Sequence, residues 1–204
     1  MDLNQKTEEI KDFQAIPGVK INNNRAFLWE EFLRKYKCDV ICEIGVRNGQ
    51  NFELMIRHNP KEAVAIDSWI EDGVIGRNDC RYTQEVLDEQ YNKFKADMAD
   101  KPFVKILRAY SFDAVKQFDD DYFDFVYIDA DHTFEGCYKD IVDWYPKVKK
   151  GGVLCGHDYV AKSHRTRYGE RLNFGVIEAV QKYSKENNLE PFVLKPIVWA
   201  IIKG

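Results

Sequence analysis

From Phe125 to Tyr159 the chain reads FVYIDADHTFEGCYKDIVDWYPKVKKGGVLCGHDY. With Asp124 before it, the stretch opens on DFVYID (residues 124–129), an apolar run bounded by acids and short enough for a buried strand. A helical pattern follows in FEGCYKDIVDWYPKVK, with Asp131 a candidate cap for a helix starting near Thr133 or Phe134. KKGG closes that helix, and Gly151 or Gly152 is expected to supply a left-handed cap. VLCGHDY is then a second apolar strand. Two strands joined by a helix form a crossover unit, and a crossover of this kind requires parallel pairing.

The alternation extends to both sides of this block. CDVICEIGV and EAVAIDSW read as earlier strands, with a helix opening at Asn51–Arg57 between them. TQEVLDEQYNKFKADM is helical, FVKILRA is a strand, and SFDAVKQF is a short helix with Ser111 as its expected N-cap. RAFLWEEFLRKYK, near the start, has apolar residues at helical spacing. FGVIEAVQKYSKENN gives a last helix, and PFVLKPIVWAIIK leaves no room for another between its two β-rich runs. The expected fold is therefore α/β: a Rossmann-like, doubly wound, mostly parallel sheet with a C-terminal antiparallel hairpin. Residues 1–24 are polar and are expected to form an N-terminal arm; residues 25–204 form one domain. Residues 70–82 and 159–172 read as long loops at the edge of the cleft.

Composition narrows the function classes. The chain has 204 residues, 45% of them hydrophobic, and a formal net charge of -4. That suits one domain with a substantial core, and it offers no basic footprint for nucleic acid. No apolar run reaches the roughly 20 residues that span a bilayer, and MDLNQKTEEIKDF is too polar for a signal peptide. The five cysteines form no CxxC pair; Cys42, Cys137 and Cys155 sit among apolar neighbours, as reduced thiols of a cytoplasmic protein would. The expected partner is a small molecule, and the N-terminal arm could serve between the subunits of a homo-oligomer.

Polar chemistry collects at the carboxyl ends of the expected strands, where doubly wound sheets bind ligands. The first strand ends in EIGVRNG, with Glu43, Gly45 and Gly49. The second ends at Asp67, where a carboxylate can accept the hydroxyls of a ribose. The glycine spacing is ExGxxxG, not the GxGxxG of a dinucleotide site, and an ordinary strand-to-helix turn would also use it. The fourth strand ends at Asp129 and the fifth at His157 and Asp158. Neighbouring strands lie about 4.8 Å apart, so these three side chains can converge on one divalent ion. His132 stands near enough to take a proton from a substrate held there. Read singly, Asp131 could be only a cap and His132 only a surface residue; their coincidence on adjacent loops favours a site.

EIGVRNG, AIDSW, the block quoted first and the final WAIIK resemble class I S-adenosylmethionine-dependent methyltransferases. Within that class the similarity is to the small-molecule O-methyltransferases that include the macrocin and mycinamicin sugar enzymes. The resemblance covers residues 38–204 and is most specific from Asp124 to Tyr159. It implies that Glu43, Gly45 and Gly49 wrap the methionine part of S-adenosylmethionine and that Asp67 binds the ribose. Ser68 and Trp69 would flank the adenine, and Ala109, Tyr110 and Ser111 would meet its edge. Asp129, His157 and Asp158 fall at the positions that bind magnesium or manganese in metal-dependent members, and His132 at the general base. Arg47 stands where such loops often carry glycine, and His157 where relatives often carry an acid.

The expected reaction is O-methyl transfer to a small hydroxylated acceptor, a vicinal diol on a sugar first and a catechol second. His164, Arg165, Arg167 and Arg171 make the 159–172 stretch basic, which suits a phosphorylated or carboxylated acceptor or simply a solvated loop. Two other classes remain: an NAD-type oxidoreductase, which would want the missing middle glycine, and a non-catalytic nucleotide-binding module, which would show a broken acidic edge.

Overall fold

The computed structural model describes residue 29 and residues 32–71, 82–161, 163–165, 171–194 and 197–204. The expected 1–24 arm, most of the 70–82 loop, Cys80 and the centre of the basic stretch lie outside the described residues.

Four strands rich in apolar residues build the middle of the sheet: β1 (Val40–Ile44), β2 (Glu62–Asp67), β4 (Phe123–Ile128) and β5 (Val148–Gly156). β3 (Val104–Arg108) flanks them at one edge, only partly buried, with Lys105 and Arg108 turned to solvent. Charges on an edge strand discourage pairing with another chain. β8 (Phe192–Leu194) and β9 (Val198–Ile202) complete a seven-stranded sheet of order β3-β2-β1-β4-β5-β9-β8. The first five pair in parallel, whereas β9 runs antiparallel to both β5 and β8. The expected sheet and its terminal hairpin are both present.

Side-chain alternation divides the core in two. Ile41, Ala65, Phe125, Tyr127 and Cys155 face one side. They pack there with Phe52 and Met55 of α1 (Gln50–Met55), with Leu87 and Phe94 of α2 (Gln84–Asp97), and with Trp29, Phe32 and Leu33. Cys42, Ile44, Val64, Val126 and Leu154 face the other side. Their partners are Ala114 of α3 (Ser111–Ala114), Ile141 and Trp144 of α4 (Phe134–Trp144), and Ala179 and Val180 of α5 (Val176–Glu186).

Several local expectations change. α4 ends at Trp144 and passes through a short 3-10 turn at Tyr145–Lys147 that accommodates Pro146 near its start. β5 has already begun at Val148, so Gly151 (φ 72°) is no helix cap; it lies where the β4–β5 register shifts. Thr133, not Asp131, caps α4 by accepting from Gly136 N at 3.1 Å. Asp131 instead closes a small turn on Thr133 N at 2.9 Å. Tyr110 occupies the N-cap of α3, and Ser111 is its first helical residue. Within the expected 159–172 loop, β6 (Ser163–Arg165) and β7 (Arg171–Asn173) form an antiparallel ribbon.

The sheet order turns back between β1 and β4, since β2 and β3 lie to one side of β1 and β4 to the other. Such a switch point opens a crevice at the carboxyl ends of the strands. Backbone bonds continue past those ends: Gly45 N to Ile66 O at 2.8 Å, Asp129 N to Ile44 O at 2.8 Å and His157 N to Ile128 O at 3.0 Å. The starts of the ligand-facing loops are thus fixed by the sheet itself.

Candidate active site

A cavity of about 620 Å³ lies along this edge, within the range of small-molecule and cofactor pockets. Of the residues expected to bind ligand, Glu43, Gly45, Asp67, Ser68, Tyr110 and Ser111 line it. So do Asp129, His132, His157 and Asp158. Gly49 and Trp69 do not.

Gly45 has φ 90°, and a Cβ there would stand 2.2 Å from the carbonyl oxygen of Asp129. Only glycine lets the loop after β1 lie this close to the loop after β4. Gly49 (φ 80°) serves packing: a Cβ would meet the Phe94 ring at 2.3 Å, so it seats α1 against α2. Trp69 is fully buried, its ring 5.0 Å from Tyr91 and 6.0 Å from Phe94. Its indole N–H donates to Arg47 O at 2.7 Å. A positive φ of 46° turns it away from the cavity into the core, so it cannot flank a base there.

Asp67 ends β2 with each carboxylate oxygen engaged by backbone, Oδ2 by Arg47 N and Oδ1 by Trp69 N, both at 2.8 Å. Burial pushes its carboxyl above the usual range, and these N–H donors oppose that shift. The Ser68 N–H adds to them, and of the roughly four acceptor sites of a carboxylate one remains for a ligand hydroxyl. Glu43 is held by a relay missing from the sequence expectations. Trp29 Nε1 donates to Asn51 Oδ1 at 2.7 Å, and Asn51 Nδ2 donates to Glu43 Oε1 at 2.8 Å.

In the same cavity, Asp129, His132, His157 and Asp158 bring one ligand atom each to within 4.8 Å of one another. His132 Nε2 lies 3.2 Å from Asp129 Oδ1 and 2.8 Å from Asp158 Oδ2. His157 Nδ1 lies 3.4 Å from Asp158 Oδ2 and 3.8 Å from Asp129 Oδ1. His132 therefore stands inside the group of expected ligands, with its ring stacked on Phe174 at 4.7 Å. Burial disfavours its charge, but the Asp129 and Asp158 carboxylates outweigh burial and raise its pKa to about 9. Asp158 moves the opposite way: burial would raise it, and His132 and His157 hold it well below the usual carboxylate range. The Asp129 and Asp158 carboxylate oxygens with the His157 imidazole nitrogen form a donor set that fits a divalent cation such as manganese, with His132 beside it.

Asp140 also went unread in the sequence. It sits on α4 against the cavity, 4% exposed, and accepts from Ser111 Oγ. Burial pushes its carboxyl up to about 7; Ser111 opposes the shift, while Asp131 and Asp143 add to it. The unfolded chain would ionise this group near the ordinary 3.9, so the folded state binds more protons between about 4 and 7. Stability should therefore fall as pH rises through that window. Asp140→Asn removes the titration, and its advantage in melting temperature over wild type should be larger at pH 8 than at pH 5. An equal difference at both pH values would contradict this.

The chain belongs to the methyltransferase-domain family whose model matches residues 42–159. It is also similar in fold to solved O-methyltransferases. A Bacillus cereus O-methyltransferase in complex with SAH superposes with a TM-score of 0.63 at 13% identity, covering 100% of this chain and 92% of that one. TomG from Streptomyces achromogenes, an O-methyltransferase of tomaymycin synthesis in complex with SAM, gives 0.59 at 14%, covering 99% and 89%. The O-methyltransferase NovP gives 0.60 at 17%, covering 89% and 78%. No curated protein matches the chain in sequence. No helix among the described residues is long and apolar enough to cross a membrane.

Proposed function

We propose that this methyltransferase moves the methyl group of S-adenosylmethionine to a hydroxyl oxygen of a small acceptor, with a divalent metal at Asp129, His157 and Asp158. The observation that carries the proposal is the shared cavity, whose wall holds both Asp67 and Glu43 and the Asp129–His132–His157–Asp158 group. In this reading Asp67 accepts from a ribose hydroxyl, and Glu43 and the Gly45 backbone hold the methionine part. Tyr110 and Ser111 lie beside the base.

The sulfonium is already a good donor, so the protein's task is alignment and preparation of the oxygen. A bound magnesium or manganese ion would lower the pKa of an acceptor hydroxyl. Asp129, His157 and Asp158 would orient the acceptor through that site. His132 Nε2, 3.2 Å from Asp129 Oδ1 and 2.8 Å from Asp158 Oδ2, would take the hydroxyl proton as a neutral imidazole, the form that a cation held by those carboxylates would favour.

A vicinal diol chelates a metal well, so a sugar or sugar-containing metabolite is the first choice of acceptor and a catechol the second. The narrower affinity with macrocin-type sugar enzymes belongs to the same proposal. The buried thiols of Cys38, Cys42, Cys137 and Cys155 suit a reducing compartment such as the cytoplasm. The experiment is transfer of labelled methyl from S-adenosylmethionine to a panel of sugars and catechols, with and without a chelator. Chelator-sensitive labelling of a diol is expected; labelling that ignores the chelator would remove the metal from the account. An NAD-type oxidoreductase gains no support from the methyltransferase family match or from the ExGxxxG loop.

A further inference from the structure

Asp140 takes no part in the chemistry above, yet it forms part of the wall of the same cavity. Among the described residues, Ser111 Oγ is the one donor that reaches its carboxylate, and it reaches Oδ1. Among the described residues no hydrogen bond engages Oδ2, and Asp140 lines the cavity. The nearby cation, Lys139, has its ammonium on Asp143 at 2.6 Å. A buried carboxylate served by a single hydroxyl is short of donors, so a ligand that supplies one is favoured.

The neighbouring surface indicates what that ligand presents. The rings of Tyr110 and Phe112 lie parallel, 5.2 Å apart and 8° from coplanar, and both residues line the cavity. They offer an aromatic surface next to Ser111. Asp67 and Ser68, at the end of the adjacent strand β2, belong to the same wall. A nucleoside with a sugar hydroxyl on Asp67 can therefore place its base beside residues 109–112 and toward Asp140.

We propose that Asp140, positioned by Ser111, accepts a hydrogen bond from the exocyclic amino group of the cofactor's purine and so selects adenine over hypoxanthine. The proposal rests on the S-adenosylmethionine reading of the cavity. Adenine carries a donor at C6. Hypoxanthine carries a carbonyl oxygen there, whose lone pairs would face those of the carboxylate. An asparagine amide, by contrast, can turn either its oxygen or its nitrogen toward the base.

The test is calorimetric binding at pH 8 or above, where Asp140 is ionised, of S-adenosylhomocysteine and S-inosylhomocysteine to wild type and to Asp140→Asn. Wild type should prefer the adenosyl compound by at least about tenfold, the scale of a hydrogen bond to a charged group. In Asp140→Asn the two affinities should come within about threefold of each other. Equal affinities in wild type would overturn the proposal without any variant. A wild-type preference that persists unchanged in Asp140→Asn would also overturn it. Failure of wild type to bind S-adenosylhomocysteine would overturn the methyl-donor reading and this assignment with it, whereas binding without discrimination overturns this assignment alone.

Discussion

Asp129→Ala is expected to lose about a thousandfold or more of the methyl-transfer rate, together with any response to added magnesium or manganese. Metal-assisted activation of an oxygen supplies several kcal/mol, and each 1.36 kcal/mol is worth tenfold in rate. The variant should fold. The close packing of Gly45 involves the Asp129 backbone carbonyl, and Asp129 N donates to Ile44 O; alanine keeps both groups. His132 would retain Asp158 as a partner at 2.8 Å. Asp67 and the backbone donors on its carboxylate are untouched, so affinity for S-adenosylhomocysteine should stay near wild type. Metal-stimulated turnover in this variant would remove Asp129 from the ligand set.

The second large effect is expected at His132. Its Nε2 lies between two carboxylates and its ring rests on Phe174, so truncation removes a proton carrier and a stacking partner together. His132→Ala should lower turnover by about 10²- to 10⁴-fold, the usual contribution of a positioned general base. Binding of S-adenosylhomocysteine should change little. His132→Gln keeps hydrogen-bonding reach without a titrating imidazole and should be nearly as slow. Full activity in either variant would show that another group takes the proton.

How much of this was legible in the sequence follows from what each residue depends on. β1, β2, β4 and β5 are apolar runs because the sheet is covered on both faces, and that pattern is local. Ser163–Arg165 and Arg171–Asn173 are short and polar, so their ribbon left no periodic trace. Trp69 follows Asp67 closely enough to suggest a place beside a base. Its positive φ and the distant rings of Tyr91 and Phe94 carry it into the core, and contacts so far apart along the chain are not visible in a short motif.

Asp124, Asp129 and Asp131 likewise divide by environment. Asp124 accepts from Asp39 N and Val40 N at 3.0 and 2.8 Å and pairs with Lys149; it ties β4 to its neighbours at the edge away from the cavity. Asp131 closes a turn, and only Asp129 joins the histidine cluster. Asp140 could have been found. It lies on the buried stripe Cys137, Asp140, Ile141 and Trp144 of an amphipathic helix, and a carboxylate among apolar positions signals a buried polar role.

The most direct test of the account is calorimetric titration of metal-stripped protein with S-adenosylhomocysteine and with NAD, followed by magnesium and manganese. Micromolar binding of S-adenosylhomocysteine, no binding of NAD and a separate metal event that disappears in Asp129→Ala are expected. Binding of NAD with none of S-adenosylhomocysteine would contradict the account.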